Sequence, residues 1–341
     1  MGYMNLLKQL FACLLAISAL SACRKDDDDT TTPFTWPEGY TGRIQYLVEA
    51  NYNYDYFVQM QTNAAPWSMD TLRATGPWTL LSMNSSQLYS YGLWPANYAP
   101  DLMRYLIIPG RVELGKLPMG SNQPFTTLLG TTIYVSKYTN TKGDTLLAIN
   151  GSKVTGKDAV ATNGLIQTVE AVFPPAVYTS MYHRIISDTS LSMFAAALQR
   201  TGLEKEVDTG ALTVLAPLNS AFTSANTASL GLGISTMDSL LQTDHAVLKR
   251  LVENHLIRGL HFSADMINDF EINNADTVRY ATQSGDTIRY YRQYNYYDYW
   301  YGKGNTQPAQ FKTQNSNTYQ PLLNEVAGKS VLDRITEVLA F

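Results

Sequence analysis

Thiols are almost absent from this chain, which holds two cysteines, Cys13 and Cys23, in 341 residues. So few cannot staple a chain of this length, and stability has to come from packed cores. Histidine is scarce too, with only His183, His245, His255 and His261. None belongs to an HExxH motif or lies four residues from another on a helical face, the spacing that presents two ligands to zinc. No GxSxG elbow offers a nucleophile, and GLG at 231–233 lacks the Lys-Ser/Thr of a phosphate loop and reads as loop punctuation. Carboxylates are plentiful, but linear order cannot set two of them across the ~5–9 Å that glycoside hydrolysis needs. Charged residues make up 16% of the chain and leave a net charge of −4 without a Lys/Arg cluster, which argues against nucleic acid as a partner. No catalytic, cofactor-binding or metal-binding residue is assigned.

Long apolar runs are missing as well. LFACLLAISAL near the N-terminus is too short for a hydrocarbon core, which takes about 20 apolar residues, but it suits the h-region of a secretory signal. It ends in Leu20-Ser21-Ala22-Cys23, small residues before a cysteine, which resembles the lipobox of bacterial lipoproteins. The resemblance implies that residues 1–22 are a signal peptide and that Cys23 is acylated. Several acyl chains would tether the protein to a membrane without spanning it. Residues 23–39 follow as an acidic tether, in which four adjacent aspartates repel one another and Thr, Pro and Gly oppose regular structure. An acidic run directly after the cysteine resembles the export signal of surface lipoproteins. The expected location is the outer membrane, lipid-anchored and facing outward, with the periplasmic face as the alternative.

What the rest of the chain does have is a drifted repeat. GPWTLLSMNSSQL (76–88) aligns with GALTVLAPLNSAF (210–222), and RYLIIPG (104–110) with ENHLIRG (253–259). GTTIYVSK (130–137) aligns with GDTIRYYR (285–292), and LIQTVEAVF (165–173) with VLDRITEVL (331–339). Four matches in one order define a tandem repeat. In the second unit Leu191, Phe194, Ala195, Leu198 and Leu203 recur at helical spacing, with Gly202 near the helix end. Thr213–Ala216 reads as a buried strand stopped by Pro217, and Asn219 or Ser220 as a cap for a helix inserting Ala221 and Phe222. A helix from His245 to Leu256 and a closing strand from Val331 to Leu339 complete the unit. Helices with mostly antiparallel strands around one core give an α+β class.

LSMFAAALQRTGL, ALTVLAPLNSAF and the helix ending in NHLIRG resemble a fasciclin (FAS1) domain, and TTLLGTTIYV with LIQTVEAVFPP resembles its back half. The resemblance implies two FAS1-like domains, 40–175 and 176–341, each a wedge of antiparallel strands flanked by helices, acting in binding or adhesion and not in catalysis. The family's Tyr-His pair is split: Tyr105-Leu106 keeps the tyrosine and Asn254-His255 the histidine. The resemblance implies a buried hydrogen-bonding role for His255 and a structural role for Asn219. The first domain departs most in its front half, with Met83 and Ser85 standing where the second has Pro217 and Asn219.

One stretch is not absorbed by the repeat, YYRQYNYYDYWYGKGN at 290–305. The interval that contains it is 11 residues longer than in the first unit, so the stretch reads as an insertion at a surface hairpin turning near Asn295 or Gly302–Asn305. Alternation puts Tyr290, Tyr294, Tyr296 and Trp300 on one face, and Tyr291, Tyr297, Tyr299 and Tyr301 on the other. One aromatic face can pack on the domain and leave the other in water. The rings either stabilise the hairpin alone or form a recognition surface. In the second case Tyr291, Tyr294, Tyr296, Tyr297, Tyr299 and Trp300 would stack on sugar while Asn295 and Asp298 bond hydroxyls. The expected partner is a polysaccharide, captured for an outer-membrane uptake complex, or another surface protein joined by a scaffold.

Overall fold

The computed structural model describes residues 42–341 except 91–98, 172, 225, 226, 229, 274–276, 294–296 and 313–322. In the first domain, helices Ile44–Glu49, Asp55–Ala64, Trp67–Arg73 and Ala99–Tyr105 accompany a seven-stranded sheet. Its strands are β1 (Trp78–Ser82), β2 (Ile107–Pro109), β3 (Gly120–Thr126), β4 (Thr132–Thr139), β5 (Thr145–Ile149), β6 (Ser152–Ala161) and β7 (Gly164–Val169), in the order β2-β1-β7-β6-β5-β4-β3. The second domain has β8 (Leu212–Pro217), β9 (Leu256–Arg258), β10 (Val278–Ala281), β11 (Thr287–Gln293), β12 (Tyr297–Tyr301), β13 (Ala309–Gln310), β14 (Glu325–Ala327) and β15 (Ser330–Ile335). These form two four-stranded sheets, β14-β15-β8-β9 and β10-β11-β12-β13.

The two topologies are one topology. β1 pairs antiparallel with β2 and parallel with β7; β8 pairs antiparallel with β9 and parallel with β15. All six residues of β8 are buried, because a strand covered on both faces has no position left for water. The repeat extends to single hydrogen bonds. Leu81 N–H donates to Leu106 O (2.8 Å) and Leu215 N–H to His255 O (2.9 Å). Leu128 N–H donates to Ile107 O (2.7 Å) and Gln283 N–H to Leu256 O (2.9 Å). Thr79 Oγ1 donates to Gly110 O (2.8 Å), as Thr213 Oγ1 does to Gly259 O (2.9 Å). The long β6 of the first domain corresponds to β13 plus β14 in the second, and that division splits the sheet in two.

Local chemistry sets the boundaries. The helix Ser192–Thr201 ends at Gly202, which is left-handed (φ 72°) and lets Leu203 N–H reach Leu198 O. Asp244 caps the helix His245–Glu253 by accepting from Ala246 N–H and Val247 N–H. That helix stops three residues short of the expected Leu256, because Asn254 and His255 turn the chain into β9. β15 likewise stops at Ile335, and Val338, Leu339 and Ala340 continue as buried coil. Asn219 does not cap the short 3-10 helix it begins. Its carboxamide accepts from Met193 N–H (2.9 Å) and donates to Thr189 O (2.8 Å), fastening the start of the helix Ser192–Thr201.

The two domains share core material. Phe262, Val326 and Val331 of the second domain are buried within the first domain's apolar cluster, and Phe262 lies 5.8 Å from the Tyr134 ring. Asn122 Nδ2 donates to Leu260 O across this boundary (2.7 Å). A Cβ on Gly151 would come within 2.4 Å of Asn324 Nδ2, so only glycine admits the second domain this closely.

Candidate functional site

The tyrosine-rich stretch forms regular strands with counterparts in the first domain. β11 and β12 pair antiparallel from Arg289↔Tyr301 to Gln293↔Tyr297, as β4 and β5 do. The extra residues of the second domain therefore come after the tyrosines, between β12 and β14, and the stretch is not the insertion. The expected turn near Asn295 falls between β11, which ends at Gln293, and β12, which begins at Tyr297. Tyr294, Asn295 and Tyr296 lie outside the described residues, as does Cys23. Tyr297 is placed by its backbone opposite Gln293.

Alternation separates the remaining rings cleanly. Tyr280, Ile288, Tyr290, Trp300 and Ala309 point inward onto Leu215, Ile257, Met266, Ile335 and Leu339. Trp300 is 0% exposed and is packed by Tyr290 (5.2 Å between centroids), Tyr280 (5.6 Å) and Phe311 (5.9 Å). A ring with no exposed surface cannot stack on a sugar, which corrects the placement of Trp300 in a binding face. Asp298 is corrected with it, since its carboxylate accepts from the buried Tyr290 hydroxyl (2.5 Å) and lies 3.9 Å from Arg292 Nε. Burial first, and then the Asp298 charge, raise the Tyr290 hydroxyl far above the usual phenol range, so it stays a donor.

The outward face keeps Tyr291, Tyr299 and Tyr301. Tyr291 and Tyr299 are cross-strand partners whose rings stack at 6.1 Å with 20° between planes, both half-buried. In the next row Arg279 stands opposite Arg289, and Arg289 opposite Tyr301, with the Arg289 guanidinium 5.6 Å from the Tyr301 ring centre. Gln310 faces Tyr299 from β13. The sequence pattern pointed to the tyrosines but not to this arginine row. Arg279 and Arg289 are ten residues apart, and only the β10–β11 register makes them neighbours.

The equivalent face of the first domain is not open. By register, Tyr134, Ser136, Ala148 and Asn150 occupy the places of Arg289, Tyr291, Tyr299 and Tyr301. Phe262 packs on Tyr134, and Ser136 bonds Asp265 of the helix Ser263–Asn273. One face of the fold thus joins the two domains, and its sister carries the tyrosines.

His255 is 1% exposed and lies away from this face. Its Nδ1–H donates to Leu251 O (2.7 Å), and its Nε2 accepts from Leu339 N–H (2.9 Å), while Asn254 Nδ2 donates to Leu339 O (2.8 Å). Burial lowers its pKa to about 4, which keeps the ring neutral and both nitrogens in use. Among the described residues no group of three or more His, Cys, Asp or Glu could hold a metal ion, and no helix is long and apolar enough to cross a membrane.

One topology built twice, with an interface between the copies and an aromatic outer sheet on the second, defines a tandem α+β module. The chain belongs to the fasciclin domain family, which matches residues 83–175 and 189–298, more than half of its length. Fasciclin domains are generally cell-adhesion and binding modules. Among solved structures, the FAS1 domain pair from the insect cell adhesion molecule fasciclin I is similar at 15% identity with a TM-score of 0.40, covering 86% of this chain and 98% of that one.

Proposed function

We propose that this protein is a non-enzymatic, lipid-anchored outer-membrane adhesion protein that captures glycan on the outer face of β10–β13. The observation that carries the reading is the half-exposed Tyr291–Tyr299 stack beside Tyr301, on the very face that serves the first domain as an interface. In the first domain that face has small residues, Ser136 and Ala148, at the places of Tyr291 and Tyr299, and it admits the second domain at close range. In the second domain large flat rings replace them. Rings suit the C–H faces of sugars better than they suit a closely fitted backbone, and tyrosine offers this area at low entropy cost. Gln293 and Gln310 flank the rings with amides for hydroxyl groups. The Leu20-Ser21-Ala22-Cys23 sequence supports the anchor, and delivery to an outer-membrane uptake complex is a natural use for captured polysaccharide.

A second reading has its own support. The sister face holds a protein surface, so the tyrosine face could hold one too and make the chain a scaffold between surface proteins. The test is a polysaccharide panel presented to the full chain in detergent, beside Tyr299→Ala/Tyr301→Ala. Retention that the double variant loses, with unchanged melting, supports capture. If no polymer is retained, the glycan reading falls and the scaffold stands. Labelling with radioactive palmitate, lost on Cys23→Ser, tests the anchor.

A further inference from the structure

The outer face of β10–β13 carries arginines that meet no carboxylate among the described residues. Arg279 and Arg289 are exposed and directly opposite across β10 and β11, an arrangement of like charges that destabilises a sheet by itself. Neither takes part in an ion pair among the described residues. Arg258 adds a third exposed guanidinium on β9, one residue beyond the bridge between Ile257 and Thr282. By alternation the outward positions of β10–β13 include no Asp or Glu at all, although acidic residues outnumber basic ones in the chain, 29 to 25.

We infer that the face binds an acidic polysaccharide, with sugar rings on Tyr291, Tyr299 and Tyr301 and uronate carboxylates on Arg279 and Arg289. This rests on the reading of that face as a glycan-binding surface and names the class of glycan. The guanidinium fork matches a carboxylate in two parallel hydrogen bonds, which a lysine could not supply. Arg289 lies over Tyr301, so charge and stacking surface sit within one sugar's reach of each other. A single-stranded nucleic acid would also meet rings and cations. The flanking amides of Gln293 and Gln310 favour instead a polymer dense in hydroxyl groups.

The test uses the full chain anchored in phosphatidylcholine vesicles and floated with fluorescent polygalacturonate, alginate, fully methyl-esterified polygalacturonate or single-stranded DNA. The methyl ester keeps the sugar backbone and removes the charge. The expected result is capture of polygalacturonate or alginate at least tenfold stronger than of the ester, weakening as salt rises. Arg279→Gln/Arg289→Gln should erase that preference, and Tyr299→Ala should weaken every polymer alike. Equal capture of acid and ester, untouched by the arginine variant, overturns the acidic class and leaves the glycan surface intact. Capture of DNA as strong as of either polyuronate overturns the polysaccharide assignment. No capture of any polymer removes this inference and the glycan reading together.

Discussion

Gln167 and Asp333 occupy the same place in the two domains, and only one of them can make all the hydrogen bonds that place offers. Gln167 Oε1 accepts from Asp158 N–H (2.8 Å), while its Nε2 donates to Val112 O (3.0 Å) and to Asp158 Oδ1 (2.9 Å). Asp333 Oδ1 accepts from Asn324 N–H (2.6 Å), but its buried Oδ2 has no hydrogen-bond partner among the described residues. Asp158 and Asn324 match as well, both left-handed at φ 56° and 59°. A carboxylate cannot donate, and only the protonated acid could use Oδ2 as Gln167 uses its amide. Burial accordingly raises the Asp333 pKa to about 7, against the lowering effects of the Asn324 N–H and Arg334.

The pH consequence has a definite sign. Between the unfolded value of 3.8 and about 7, the folded state holds a proton that the unfolded chain has released, so stability falls as pH rises. The full effect is on the order of 4 kcal/mol above pH 7. Asp333→Asn restores a donor and should stabilise the protein most at pH 8, with little change near pH 4. Urea midpoints across that range measure it; an unchanged midpoint at pH 8 would mean that Oδ2 is satisfied as a carboxylate.

His255 works in the opposite direction over nearly the same range. Its folded pKa of about 4 lies below the ordinary 6.5, so its contribution is complete above pH 6.5 and is lost as pH falls towards 4. The loss amounts to about 3 kcal/mol. Asp333 and the interface residue Asp265, raised by burial to about 6, oppose that slope. His255→Leu should therefore steepen the decline in stability between pH 4 and 7. It also strands the buried Leu339 N–H, costing roughly 1–3 kcal/mol at every pH.

Arg334 is fully buried between two carboxylates, with Nε 2.8 Å from Asp188 and Nη2 2.9 Å from Glu325, and Arg184 closes the network from the helix Met181–Ile186. Burial opposes charge on both acids; hydrogen bonds from Ser190 and then Arg334 outweigh it at Asp188, and Arg334 with Arg184 at Glu325, holding both carboxyl groups below the usual range. Arg334→Met leaves Glu325 buried with half its partners and should cost about 3–5 kcal/mol. Arg334→Met combined with Glu325→Leu should recover much of that. Thermal melts at pH 7 decide; equal losses in the single and double variants would show that packing, not charge, sets the cost.

The sequence made the repeat readable because β-strand register preserves what composition loses. Thr79 and Thr213, Gly110 and Gly259, and Leu165 and Val331 fall at matched positions in hydrogen bonds and strand pairs. The α+β class followed from those segments, and the expected burial of His255 from the family resemblance they carry. Pairing partners were not legible. Whether Trp300 faced water depended on a core made by Met266, Tyr280 and Leu339, none of which lies near it in sequence. Asn219 looked like a cap for its own helix because capping is usually local, yet it bonds Met193, which precedes it by 26 residues. The arginine row likewise exists only through the β10–β11 register.

Burial gives Trp300 and Tyr299 opposite roles, although they are adjacent. Trp300→Ala would empty the centre of the apolar cluster beneath β10–β13 and should cost about 3–5 kcal/mol, lowering the melting temperature by several degrees. Tyr299→Ala removes half of an outward stack and should cost no more than about 1 kcal/mol. Polymer binding should respond in reverse: weakened by Tyr299→Ala, and retained by Trp300→Ala at temperatures where that variant is still folded. Calorimetry and vesicle flotation on the same preparations separate the two effects. If Tyr299→Ala proves as destabilising as Trp300→Ala, the outer tyrosines serve the fold, and the contact surface has to be sought elsewhere on the wedge.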